Sequence, residues 1–206
     1  MAFNPLTHNR NSIRLQGYDY SSEGAYFLTI CTYHRQQLFG NIIEGQMKLN
    51  RFGLIAENEW EKSATLRSEI ELGEYVIMPN HMHAIVYIID THRRAVRPNT
   101  STTIIIPTLK IQKSQNKPPG LKSKSIGSLI SGFKSSVTKQ INIIRNTPGE
   151  PVWQRNYWDH IIRNDKSFDK IEEYIINNPL NWNQDKLFTS YCCSAERTYY
   201  NKRHKS

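Results

Sequence analysis

The sequence predicts an α+β domain in which an antiparallel sheet carries helices on one face. Three observations predict it. Short segments rich in β-branched and aromatic residues recur along the chain. Two longer segments between them space their apolar residues at helical intervals. The segments come in the order strand, helix, strand, strand, helix, strand, with one more helix after them. A βαββαβ order closes naturally as a ferredoxin-like antiparallel sheet.

Each element has its own warrant. Residues 1–24 are polar with scattered tyrosines and read as an N-terminal arm without regular structure. Residues 26–33 (YFLTICTY) read as the first strand. Residues 38–43 and 46–49 flank Glu44-Gly45 and read as a small hairpin. Asn50 is placed to cap a helix reaching about residue 66, with Leu54, Ile55, Trp60 and Ala64 as its apolar face. Residues 72–78 and 83–89 are two further strands, antiparallel because Pro79-Asn80 turns the chain between them. Residues 91–120 gather Pro98, Pro107, Pro118 and Pro119 among Ser, Thr, Asn and Lys and read as a flexible insertion, with 102–106 as a short edge strand. In residues 125–145 (SIGSLISGFKSSVTKQINIIR), Ile126, Leu129, Ile130, Phe133, Val137, Ile141 and Ile144 recur at helical spacing. Residues 157–163 (YWDHIIR) are the fourth core strand. Asn164 or Asp165 then caps a last helix over 166–178, which Pro179 ends. Residues 180–206 read as a polar, basic tail.

A chain of 206 residues suits one core with an insertion. Its net charge of +9 is concentrated. Between residues 91 and 149 there is no acid, while Arg93, Arg94, Arg97, Lys110, Lys113, Lys117, Lys122, Lys124, Lys134, Lys139 and Arg145 all carry positive charge. One block therefore supplies the positive field, and a polyanion, most commonly nucleic acid, is the partner it fits. Cys31, Cys192 and Cys193 form no CxxC pair, so a disulfide framework is not expected and a reducing cytoplasm fits. No apolar run approaches the ~18 residues of a membrane-spanning helix, so no membrane partner is expected.

The stretch VIMPNHMHAIVYI, residues 76–88, places His81 and His83 one residue apart in an otherwise apolar strand. Side chains alternate across a strand, so both imidazoles project from one face, with Cα atoms about 7 Å apart, and can converge on one metal ion. Met82 points the opposite way, into the core. The alternative is two surface histidines near a strand end. A divalent metal needs further ligands. On the last helix Tyr174 and Asn178 share a face at i and i+4. Tyr174 borders the packing stripe of Phe168, Ile171 and Ile175, and the Asn178 carbonyl is a suitable hard ligand for Mg²⁺ or Mn²⁺. A half-core tyrosine with a wet hydroxyl is the alternative there.

The phrases IRLQGYDYSSEGAYFLTICT, YVIMPNHMHAIV, SLISGFKSSVTKQIN and WQRNYWDHIIRNDKSFDKIEEYIINNP follow one another from Arg10 to about Trp182. In that order they resemble the REP-associated tyrosine transposases of the HUH single-tyrosine superfamily. The resemblance implies a ferredoxin-like HUH domain over 25–182, interrupted by a basic insertion at 91–124, between an arm at 1–24 and a basic tail at 183–206. It implies that His81 and His83 hold the metal, that Asn178 is the third ligand and that Tyr174 is the catalytic nucleophile. His160 is either near the site or structural. The implied activity is metal-dependent cleavage and rejoining of single-stranded DNA beside a hairpin, through a 5′-phosphotyrosine link, with Mg²⁺ or Mn²⁺. The partner is a REP-like palindromic hairpin with a single-stranded flank, and a monomer is the expected state. Lys122, Lys124, Lys134, Lys139, Arg145, Arg155, Lys202 and Arg203 are the expected DNA contacts, and Trp153, Tyr157 and Trp158 can stack on unpaired bases. Two other functions compete: a metal-dependent nuclease using water, and a non-catalytic DNA or RNA hairpin binder.

Overall fold

The computed structural model of the protein describes residues 18–89 and 124–188. The expectations for most of the N-terminal arm, for insertion residues 90–123 with the short strand at 102–106 and Lys122, and for residues 189–206 with Lys202 and Arg203 lie outside them.

The chain runs through β1 (Gly24–Cys31), the hairpin strands β2 (Gly40–Ile43) and β3 (Gln46–Leu49), α1 (Arg51–Leu66), β4 (Ile70–Met78), β5 (His81–Ile88), α2 (Ile126–Arg145), β6 (Trp158–Ile162) and α3 (Asp165–Ile176). The main sheet has the order β4-β5-β1-β6, and every neighbouring pair is antiparallel. This is the split βαββαβ arrangement that the element order predicts.

Local chemistry sets the boundaries. The Asn50 side chain accepts hydrogen bonds from the Phe52 and Gly53 amides and starts α1. Ser125 starts α2 through a capping box with Ser128. Asn164, of the two candidates, caps α3 by accepting from the Ser167 amide. Asn146 ends α2 in the left-handed conformation. β4 starts at Ile70 and carries a bulge between Leu72 and Tyr75, where its register against β5 slips. β5 starts at His81 itself, so both histidines stand on a paired strand.

Residue alternation divides the sheet into two unlike faces. On one, Tyr26, Leu28, Ile30, Met82, Ala84 and Val86 meet Ala56 and Trp60 of α1 and Ile126, Leu129, Ile130, Phe133, Val137 and Ile141 of α2. Burying each large apolar side chain here is worth roughly 1.5–3 kcal/mol. The buried stripe of α1 is Gly53, Ala56, Glu59, Trp60 and Ser63, and Leu54, expected on the core side, is 48% exposed. The helix is turned by close backbone contact: a Cβ at Gly53 would lie 2.3 Å from the Phe39 carbonyl oxygen. On the opposite face, Ala25, Phe27, Ile85 and Ile162 form a smaller cluster with Ile175 of α3, joined by Phe168 and Ile171. The two helices of the βαββαβ unit thus share one face, and α3 crosses the other.

The segment after α3 departs from the expected tail at its start. Residues 177–188 turn back, with a 3-10 turn at Trp182–Gln184, and the Trp182 ring packs edge-on against Phe188 at 5.1 Å. Among the described residues no helix is long and apolar enough to cross a membrane.

Candidate active site

His81 and His83 project onto the α3 face, and Met82 is buried on the other side. Both imidazoles are buried, at 0% and 3% exposure, and their ring centroids are 4.5 Å apart. The hairpin that carries them is anchored at its turn. The Thr32 amide and hydroxyl both donate to the Asn80 carbonyl at 2.9 Å, and the Leu38 amide donates to the Pro79 carbonyl at 2.7 Å.

The Asn80 side chain fixes the protonation of His81. Its amide nitrogen donates to the Leu187 carbonyl at 2.8 Å, an oxygen that can only accept. Its Oδ1 therefore faces His81 Nδ1, 2.8 Å away, and that nitrogen must carry the proton. His81 Nε2 is left with a lone pair, buried, with no hydrogen-bond partner among the described residues. His83 is held by Thr29 Oγ1, 2.9 Å from its Nδ1, and its Nε2 lies 3.1 Å from the Tyr174 hydroxyl. Phe27 stacks on the His83 ring at 5.3 Å. Burial pushes both histidines down to about 3. For His81 the Asn178 side chain opposes the shift and Arg35 adds to it. For His83 its neighbour His81 adds to it, against Asp185. Both rings are neutral at physiological pH, the form that binds metals.

Tyr174 is 45% exposed, and its hydroxyl reaches inward to His83 and, at 3.4 Å, to Asp185 Oδ2. Burial of the hydroxyl end and the Asp185 charge push the phenol up to about 12. Asn178 lies just past the end of α3 and is 2% exposed. Its amide nitrogen donates to Asp185 Oδ2 at 2.9 Å, so its Oδ1 is turned away from that carboxylate and has no partner among the described residues.

Sequence reasoning missed Asp185, which fell in the expected tail. Its side chain is 2% exposed and its Oδ2 stands 4.0 Å from His81 Nε2. No Lys or Arg lies within ion-pair distance of it among the described residues. The Asn178 and Leu187 amides and the Tyr174 hydroxyl donate to it, but these groups are neutral, and a buried carboxylate without a positive partner is costly, so the site favours a cation. The ligand atoms of His81, His83 and Asp185 all lie within 4.8 Å of one another, a group able to hold a metal ion. The orphaned lone pairs on His81 Nε2 and Asn178 Oδ1 fit the same reading. The signal available in the sequence was WNQDKLF, residues 182–188, where an acid sits between two aromatics rather than in a solvated polar run.

The expected DNA contacts scatter. α2 packs on the face away from the histidines. Lys139 is exposed there, and the Arg145 guanidinium lies over the Phe52 ring at 5.0 Å. Lys134 donates to the carbonyls of Gln154 and Asn156, at 2.8 and 2.9 Å, and so supports the loop before β6. Lys124 and Arg155 are exposed, the latter in that loop. Of the three aromatics offered for stacking, Trp153 is buried and Tyr157 is half-buried beneath Lys134, while Trp158 is exposed. His160 is exposed on the α3 face of β6, beside Trp158.

No protein-family model matches the chain. It is 41% identical over 186 residues to an uncharacterized protein of Haemophilus influenzae, covering 90% of this chain and 97% of that one. Among solved structures it is similar to a REP-associated tyrosine transposase bound to a REP hairpin, with a TM-score of 0.51 and 19% identity over 84% of this chain and 77% of the other. The second likeness is one of fold.

Proposed function

The chain belongs to the family of the uncharacterized Haemophilus influenzae protein, and we propose that it is a transposase-type enzyme that cuts and rejoins single-stranded DNA beside a hairpin, with Tyr174 as nucleophile. One observation carries this reading. A half-exposed phenol places its oxygen 3.1 Å from a buried neutral histidine, within a His-His-Asp cluster that has lone pairs to spare. The REP hairpin in the similar structure belongs to that protein, and it motivates the hairpin as the substrate class here.

His81, His83 and Asp185 would hold a divalent cation, Mg²⁺ or Mn²⁺, with Asn178 Oδ1 as a further oxygen donor. Such a cation supplies positive charge that offsets Asp185, lowers the phenol pKa and stabilises a negatively charged phosphate. The chain's own residues do the rest. Asn80 and Thr29 orient the imidazoles. Tyr174 Oη attacks phosphorus as its proton passes to a base; Asp185 Oδ2 is the carboxylate in reach. The bond from phosphorus to the 3′ oxygen breaks. That oxygen takes a proton and leaves as a 3′-hydroxyl, while the 5′ phosphate stays on Tyr174. The phosphotyrosine keeps the energy of the phosphodiester, so a 3′-hydroxyl can reverse the step and join strands without ATP.

The test mixes protein, Mn²⁺ and a labelled hairpin oligonucleotide with single-stranded flanks and resolves the products on a denaturing gel. The parent is expected to give a covalent protein–DNA band that Tyr174→Phe loses by about a thousandfold or more. Cleavage retained by Tyr174→Phe without an adduct would instead identify a nuclease that uses water. Hairpin binding unchanged by EDTA and by His81→Ala, with no cleavage, would identify a non-catalytic binder.

A further inference from the structure

Trp158 is the one tryptophan among the described residues that is not buried. It is 40% exposed, against 0% for Trp60 and 6% for both Trp153 and Trp182. Single exposed apolar side chains are common, and what sets this ring apart is its surroundings. The indole is held rather than loose. Its plane lies within 5° of the His160 ring at 5.8 Å, and it meets the Phe27 ring at 76° with centroids 5.6 Å apart. Phe27 in turn stacks on His83 and meets Tyr174 edge-on at 6.2 Å. A continuous run of rings therefore joins the proposed nucleophile to the exposed indole.

The sheet register gives the distance. Trp158 pairs with Thr29, and Thr29 pairs with His83. Two strand spacings of about 4.8 Å place the Trp158 and His83 Cα atoms about 10 Å apart on the same face. That is the reach from a phosphate to the base of a neighbouring nucleotide. β6 is an edge strand among the described residues, so no further strand there blocks a nucleic-acid chain running past Trp158. Arg155 and Arg163, at the two ends of β6, are exposed and of the right charge for phosphates.

We propose that Trp158, backed by His160, is a stacking platform for an unpaired nucleobase next to the phosphate that Tyr174 attacks. This rests on the single-stranded DNA reading above and adds where the flank is gripped. Stacking on an indole face tolerates any base, so the platform fixes the position of the strand, not its sequence.

The experiment uses the full chain and a DNA hairpin flanked on both sides by single-stranded dT tracts, with a series in which one flank nucleotide is abasic. With three of the four tryptophans buried, the drop in intrinsic fluorescence on adding DNA reports mainly on Trp158. The parent is expected to show that drop and to lose roughly tenfold in affinity at one abasic position, the scale of one lost base–aromatic stack. Trp158→Ala is expected to lose both the drop and a similar factor with intact DNA, and to show no further penalty from the abasic site. Trp158→Phe, which keeps an aromatic face, is expected to bind within about threefold of the parent. A Trp158→Ala variant that binds like the parent, or that keeps the full abasic penalty, overturns the platform. If such a variant appears while the Tyr174-dependent adduct persists, the platform alone is wrong. A parent that neither binds flanked hairpins nor forms the adduct overturns the function and the platform with it.

Discussion

The two faces of the main sheet are built from the same strands and could hardly differ more. Along β5, Met82, Ala84 and Val86 enter a dry core closed by α1 and α2. Between them His81, His83 and Ile85 face α3, where a smaller apolar cluster gives way to two imidazoles, an amide, a carboxylate and a half-exposed phenol. On the core face the buried carboxylate is partnered, since the Ser136 hydroxyl and Lys62 both donate to Glu59, while the Trp60 and Trp153 indole N–H groups have no hydrogen-bond partner among the described residues. On the α3 face His81 Nε2 and Asn178 Oδ1 are left with lone pairs. Leaving buried polar atoms unmade costs stability. The contrast is one of kind: Trp60 and Trp153 leave indole donors among apolar rings, whereas the α3 face leaves acceptor lone pairs beside a buried carboxylate, a group that could hold a metal ion.

That contrast can be broken or sharpened by experiment. The largest effect is expected on the core face. Phe133→Ala removes a ring packed against Trp60 and Trp153 and should cost about 3–5 kcal/mol in a urea melt. The Mn²⁺ affinity of the molecules that remain folded should be unchanged, as read by electron paramagnetic resonance. A large loss of metal affinity in this variant would show that the faces are coupled.

Next in size is the response to metal. Saturating Mn²⁺ at about 100 times its dissociation constant should stabilise the parent by about 2.7 kcal/mol. His81→Ala and Asp185→Asn should lose most of that gain, although the metal-free stability of Asp185→Asn should equal or exceed the parent's, because a buried charge has been removed. Equal stabilisation of the parent and both variants would remove the metal reading.

The smallest effect is a pH dependence in the presence of chelator. Each histidine is held down to about 3 when folded, against an ordinary value near 6.5. The unfolded chain therefore binds more protons between those values, and stability is full above pH 6.5 and falls as pH drops toward 3. At pH 5.5 the loss should be about 1.4 kcal/mol for each histidine. His83→Gln should flatten the slope by one histidine's share, whereas Phe133→Ala should leave it intact.

Much of this molecule is legible in its sequence because the signals are local. Asn50 and the Asn164-Asp165 pair announce two helix starts, and Asn50 and Asn164 cap those helices in the structure. The HxH spacing places both imidazoles on one face of β5 by alternation alone, and the i, i+4 spacing sends Tyr174 and Asn178 toward the same point. The facing of α1 was legible only in part: Trp60 and Ile55 pack on the core as their spacing predicts, whereas Leu54 is turned outward where Gly53 meets the Phe39 backbone.

What the sequence determined by itself is therefore the order of elements, their caps and the facing of residues within each one, since these follow from backbone periodicity and short-range hydrogen bonds. The tertiary structure alone decided which distant groups share a site. Asp185 lies 104 positions beyond His81 and reaches it only because the chain turns back after α3 and Trp182 packs down against Phe188. The same holds for the neutral state of the histidines and for the choice of Trp158 over Trp153 as the exposed ring. Burial and convergence are properties of packed surfaces, and no residue carries them until the sheet and its helices have closed.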